Sequence, residues 1–98
     1  MSDPSSPGQF NELIHAPLRL RICASLAPVR WVEFSHRRDA LDVADSLLSK
    51  HLKQLADAGY VSIDKFAKLG RGHTRVSLTR EGRVAYVGHV SALREMLG

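Results

Sequence analysis

Cysteine is almost missing from this chain: Cys23 is the only one among 98 residues. A single thiol excludes an internal disulfide and makes no thiolate metal cluster within one chain. Its neighbours Leu20, Ile22, Ala24 and Leu26 mark it as a plain buried thiol rather than a redox sensor. No run of about 18 apolar residues occurs, so no bilayer-spanning helix is expected, and no basic-then-apolar leader opens the chain. A cytoplasmic location without membrane attachment is the expectation. Catalytic signatures are missing too: there is no glycine-rich phosphate loop with its lysine, no nucleophile elbow and no HExxH pair. Gly70-Arg71-Gly72 is too short for nucleotide binding in that manner. His15, His36, His51, His73 and His89 are scattered singly. The chain is expected to be no enzyme and to carry neither cofactor nor metal.

What is present fits one folded domain. The hydrophobic share of 44% and the charged share of 24% are ordinary for a globular chain. Residues 1–9 are rich in Ser, Pro and Gly and read as a flexible tail, leaving 10–98 as the domain. The formal charge of +4 permits nucleic-acid binding without proving it. Its distribution is more informative. Residues 1–58 hold seven Lys/Arg against seven Asp/Glu, whereas 59–98 hold seven against three. Between Lys65 and Arg83 stand six bases opposed only by Glu81, so the positive charge is local.

Periodicity supplies the elements. Phe10, Leu13 and Ile14 form a short helical face ending near His15-Ala16. Pro17 suits a helix's first position, and Leu18, Ile22 and Leu26 then line one side of a core helix that Pro28 ends. Trp31 to Phe34 reads as a minor edge strand. Ser35 is expected to cap a second short helix running through Leu41, with Asp42-Val43 as the turn after it. From Ala44 or Asp45 to Ala58, Leu48, Leu52 and Leu55 recur at spacings of four and three, and Gly59 stops the helix. Ser46, Ser49, Lys50 and Lys53 are left on its other surface. Tyr60 to Lys65 and Thr74 to Leu78 alternate as strands, with Val61, Ile63, Val76 and Leu78 inward, around a flexible basic loop at Ala67 to His73. Thr79 caps a last helix whose Val84, Tyr86, Val87, Val90, Leu93, Met96 and Leu97 cover more surface than a small domain needs.

Three segments carry a resemblance: His15-Ala16-Pro17-Leu18-Arg19-Leu20-Arg21-Ile22; Leu48-Ser49-Lys50-His51-Leu52-Lys53 followed by Ala58-Gly59-Tyr60-Val61; and Leu78-Thr79-Arg80-Glu81-Gly82-Arg83. Over roughly residues 10–97 the chain resembles the small winged-helix transcriptional regulators of bacteria and archaea. In particular it resembles stand-alone domains related to the multiple-antibiotic-resistance and arsenic-repressor groups. The resemblance implies a mainly α fold with a small β-hairpin, a winged helix-turn-helix dimerising through its terminal helices. It further implies a homodimer that binds pseudo-palindromic double-stranded DNA and affects transcription. A winged helix that docks other proteins without reading DNA is the alternative.

In such proteins the second helix of the motif reads the major groove. The matching base-reading positions here are Asp45, Ser46, Leu47, Ser49 and Lys50, with a serine hydroxyl donating or accepting and a lysine donating to guanine. Leu47 suits either a thymine methyl or packing. Arg37, Arg38, Lys53, Lys65, Lys68, Arg71, His73 and Arg75 are candidates for phosphates or for the wing, Arg71 for the minor groove. Phe10, Leu13, Ile14, Tyr86, Val90, Leu93 and Leu97 are the dimerisation candidates. A small-molecule effector between the reading helix and the dimer helices is allowed, and nothing in the sequence identifies one. Relatives often carry Ser or Thr where Ala44 stands, so Asp42 or Asp45 is expected to cap the reading helix. Relatives also often carry Gly at the Asp42 turn, where Asp tolerates the left-handed conformation better than most residues.

Overall fold

The computed structural model describes residues 8–98. Expectations for residues 1–7 lie outside the described residues. The elements run α1 (Glu12–His15), α2 (Pro17–Leu26), β1 (Val32–Glu33), α3 (Phe34–Leu41), α4 (Asp45–Asp57), β2 (Val61–Lys68), β3 (Arg71–Leu78) and α5 (Arg80–Leu97). The strands form one antiparallel sheet in the order β1-β3-β2. This is a mainly helical fold with a hairpin wing, as expected.

Most of the punctuation falls where local chemistry puts it. Pro17 opens α2, where its missing N–H costs nothing. Asp42 takes a left-handed conformation with φ 53° and turns the chain between α3 and α4. At the end of α4, Gly59 (φ 81°) lets its own N–H reach the Ala56 carbonyl while Tyr60 N–H reaches that of Leu55. Those two bonds satisfy carbonyls the helix would otherwise leave bare. The Thr79 hydroxyl oxygen accepts from Gly82 N–H at 2.9 Å and caps α5.

Leu48, Leu52 and Leu55 of α4 join Ile22, Cys23 and Leu26 of α2, Val61, Val76 and Leu78 of the sheet, and Leu41 and Ile14 in one core. Burial pushes the Cys23 thiol up to about 11, so it stays protonated and inert. Arg19 clamps the helices from outside the core, donating to Gln54 Oε1 at 2.8 Å and meeting His51 Nδ1 at 3.0 Å.

Several expectations are corrected. Ser35 does not cap α3: β1 runs straight into the helix, Glu33 occupies the cap position, and Ser35 lies inside the first turn. Neither Asp42 nor Asp45 caps α4, which starts from Ala44 without a side-chain bond. Gly8 and Gln9 do not belong to a free tail. Gln9 N–H donates to the Gly88 carbonyl at 3.0 Å, and Gly8 N–H to Glu95 Oε1 at 3.0 Å, so the segment lies along α5. The loop at Ala67 to His73 is no loop. Both strands continue through it to a two-residue turn at Leu69 (φ 53°) and Gly70 (φ 74°), the backbone sign that matches strand twist in a tight hairpin. Ile63 shares the inner face with Val76 and still remains 41% exposed, because it lies beyond the edge of the core.

His89 of α5 is fully buried, the one buried polar side chain among the described residues. Asn11 N–H donates to its Nδ1 at 2.9 Å, which puts the ring proton on Nε2, 3.2 Å from His15 Nδ1. The Asn11 side chain caps α1 at Ile14 N–H and donates to the Tyr60 hydroxyl at 2.9 Å. One asparagine thus ties the N-terminal segment to α5 and to the start of the wing.

Two pairs of measurements check this packing. A Cβ at Gly82 would sit 2.0 Å from the Tyr60 carbonyl oxygen, whereas one at Gly88 would meet Gln9 at an ordinary 3.7 Å. Helix propensity favours alanine at both by up to about 1 kcal/mol. Gly88→Ala is therefore expected to hold or gain stability in urea, while Gly82→Ala loses roughly 1–3 kcal/mol or more to backbone overlap. Burial first, and His15 second, hold the His89 imidazole below its ordinary 6.5. The unfolded chain then binds the extra proton, so stability is complete above that value and falls as pH drops through it. Urea midpoints at about pH 5.5 and 7.5 should differ in that direction, and His89→Gln should flatten the difference. His51, lowered by its own burial and then by Arg19, contributes with the same sign and sets the residue of the slope.

Candidate nucleic-acid interface

The rotation of α4 about its axis decides what it can offer. With Leu48, Leu52 and Leu55 buried, the opposite arc carries Ser46, Ser49, Lys50 and Lys53, all exposed. On one flank lies a groove of about 200 Å³ lined by Phe34, Ser49, Leu52, Ile63 and Thr74. Ile63 and Thr74 belong to the inner face of the wing, so helix and hairpin border one concavity. Lys65 follows Ile63 on that same face, opposite Thr74. Leu47 is 41% exposed on the other flank, the side of α4 that also carries His51 and Gln54.

The carboxylates temper this surface. Asp45 is not free at the helix start: its Oδ1 accepts from Arg38 at 2.9 Å, and Arg38 also reaches Asp39 at 3.0 Å. Donating to Asp45 first, and to Asp39 second, raises the Arg38 guanidinium above its ordinary value. Lys53 pairs with Asp57 one turn on at 3.0 Å. Such exposed pairs are weak and open to exchange for a phosphate. Arg37 is half-buried on α3, and its Nε lies buried with no hydrogen-bond partner among the described residues.

The wing's pleat divides its bases. Lys65 points to the side of α4, while Lys68, Arg71, His73 and Arg75 alternate to the outer face. There Glu33, whose side chain is only 13% exposed, sits 3.4 Å from His73 Nδ1 and 4.0 Å from Lys68 Nζ. Arg75 lies 5.4 Å from the ring centres of both Trp31 and Phe66, and Phe66 stacks on His73. His73 and Arg75, candidates for phosphates or for the wing, therefore do not share a face with the α4 serines and lysines. Lys68 and Arg71 stand beside the hairpin tip, where either face of the sheet is within their reach. Neither the Trp31–Phe66–Arg75 stack nor the buried His89 stood out in the sequence. Alternation marks Phe66 and Arg75 as outward, but only the strand register brings them together.

The dimerisation candidates also separate. Ile14 is fully buried in the chain's own core and is corrected out of any surface. Leu13 packs partly on that core. Phe10 is 42% exposed and leans on His15 and His89 at ring distances of 4.7 and 4.8 Å. Tyr86, Val90 and Leu93 are half-buried and Leu97 is exposed, a stripe with spacings of four, three and four along α5.

Comparison with known proteins agrees with this geometry. Residues 18–97 match the model of the winged helix DNA-binding domain family, and the chain belongs to that family. It is 28% identical over 85 residues to an uncharacterized protein of Methanocaldococcus jannaschii, covering 87% of this chain and 92% of that one. Among solved structures, it resembles a transcriptional regulator homologue protein from Pyrococcus horikoshii with a TM-score of 0.83 and 28% identity. That match covers 89% of this chain and 86% of the other.

Asp45 offers a direct test. Asp45→Asn removes an anion from the start of α4 and frees Arg38 from one of its two carboxylates. Affinity for any duplex should rise by roughly two- to tenfold in fluorescence anisotropy at low salt, through added phosphate attraction. An unchanged affinity would mean that this end of the helix stays away from the backbone.

Proposed function

We propose that this protein is a transcriptional regulator that binds double-stranded DNA site-specifically as a homodimer on a pseudo-palindromic operator. The observation that carries the reading is the exposed Ser46–Ser49–Lys50–Lys53 arc with the wing's inner face beside it, held outward by the buried leucines behind. Ser46, Ser49 and Lys50 take base edges, and Lys53, Lys65 and the tip residue Arg71 take phosphates or the minor groove. The stripe of Tyr86, Val90, Leu93 and Leu97 supports pairing with a second copy, with Phe10 at its margin. The relative from Pyrococcus horikoshii, called a transcriptional regulator homologue, supports the regulatory role. The Leu48–Lys53 and Thr79–Arg83 segments support the finer likeness to the multiple-antibiotic-resistance and arsenic-repressor groups. No catalytic role and no cofactor belong to this reading.

Selection from random-sequence DNA, followed by titration of the enriched site across salt concentrations, tests it. A two-fold symmetric site is expected, with half-sites spaced by about one helical turn. Lys53→Ala should weaken binding to all sequences alike and lower the salt slope by about one unit. Lys50→Ala should instead cost about 1–3 kcal/mol on the selected site and relax its sequence preference. Equal affinity for scrambled DNA, or a monomer by light scattering at micromolar concentration, would turn the reading to a protein-docking module using the α5 stripe.

A further inference from the structure

We propose that the outer face of the wing sheet holds a second binding site, for a nucleotide unit: a planar base stacked on Trp31 with its phosphate on Arg30 and Arg75. The site is an open cavity of about 430 Å³ lined by Arg30, Trp31, Asp64, Arg75 and Ser77, within the size range of small-ligand pockets. Asp64, Arg75 and Ser77 alternate to the face of the sheet opposite Val76 and Leu78, so the cavity lies away from α4 and is no part of the DNA-facing groove.

Its chemistry is unspent. Trp31 is the chain's only tryptophan and remains 46% exposed, a large aromatic surface left to water. Arg75 is held in place by the rings of Trp31 and Phe66, and stacking fixes a guanidinium without using its N–H donors. Glu33, its cross-strand neighbour on β1, is occupied by His73 and Lys68. Asp64, its neighbour on β2, instead accepts from the Ser62 hydroxyl at 3.2 Å. Among the described residues no carboxylate comes within ion-pair distance of Arg75, and exposed Arg30 adds a second cation to the rim.

Each component selects a part of the ligand. Two guanidiniums at one rim suit a phosphate, whose oxygens accept paired N–H donors. The indole face suits a planar ring of any base. Asp64 repels a ligand that is anionic throughout and rewards one with ring or amino N–H donors at the far end, which favours a base over a simple aromatic acid. A free nucleotide and a nucleotide within a single strand present this same chemistry.

The sole tryptophan makes the test direct. Its fluorescence is titrated with the four nucleoside monophosphates, with inorganic phosphate, and with a short oligothymidylate. Saturable quenching by at least one base-bearing ligand is expected, with none by inorganic phosphate alone. Arg75→Ala and Arg30→Ala should each weaken that binding by about tenfold, the worth of a charge-assisted contact. Circular dichroism checks both variants, and Arg30, exposed and outside any regular element, keeps the test intact if Arg75→Ala fails to fold. Saturation by a mononucleotide assigns the site to the free ligand, and quenching by the oligonucleotide alone assigns it to a strand. No saturable quenching by either, or quenching indifferent to the arginine variants, overturns the proposal.

Discussion

Burial of Leu48, Leu52 and Leu55 is the constraint on which the rest depends, because it leaves α4 only one way to face. A helix of thirteen residues is marginal alone and gains its stability from the apolar stripe that docks it. Rotating it by one residue would expose a leucine and bury Ser49 or Lys53 without partners, a cost of several kcal/mol set against a small backbone movement. Arg19 adds direction to this nonpolar contact by gripping His51 and Gln54 on one flank. The polar arc is thus a consequence of the core, and its serines and lysines point outward without further support.

That dependence explains what the sequence made legible. The leucine spacing, Pro17, the left-handed Asp42, the Gly59 stop and the Thr79 cap are all local signals, and each element they mark is found. The losses come where distant segments meet. Leu69-Gly70 lacks the Asn-Gly or Asp-Gly pair that announces a tight turn, so the strands reach further than their alternation indicated. Ser35 has the chemistry of a cap, but α3 begins at Phe34, two residues too early for it to serve. Ile14 reads as one residue of a short amphipathic face, and only the packing of α1 against α2 and α5 makes it core. Gly82 belonged to a recognisable segment whose reason appears with the close approach of α5 to the Tyr60 carbonyl.

The N-terminal segment and α5 are joined by a second set of contacts. Asn11 bonds to His89, to Tyr60 and to its own helix, so the segment, the residue that precedes β2 and the C-terminal helix are tied at one side chain. A buried imidazole that accepts from a backbone N–H must remain neutral to do so. On the same α5, Tyr86 and Leu93 lie three residues before and four after His89 and so flank it on one half-buried face, with Val90 at the margin, and any change in the seating of α5 is felt by all of them.

The wing's pleat separates two chemistries that a charge count merges. Lys65 and Thr74 stand with α4, whereas His73 and Arg75 stand with Trp31 and Phe66 on the far side of a sheet one strand-layer thick. A duplex seated against α4 meets the first set and cannot also stack on the second. The positive charge of the C-terminal half is therefore not one footprint. Part of it faces α4, part lies against Glu33, and Arg75 is left with donors that nothing among the described residues uses. An arginine so fixed and so free has already lost the side-chain entropy that binding an anion would otherwise cost, which is why the outer face calls for a ligand of its own.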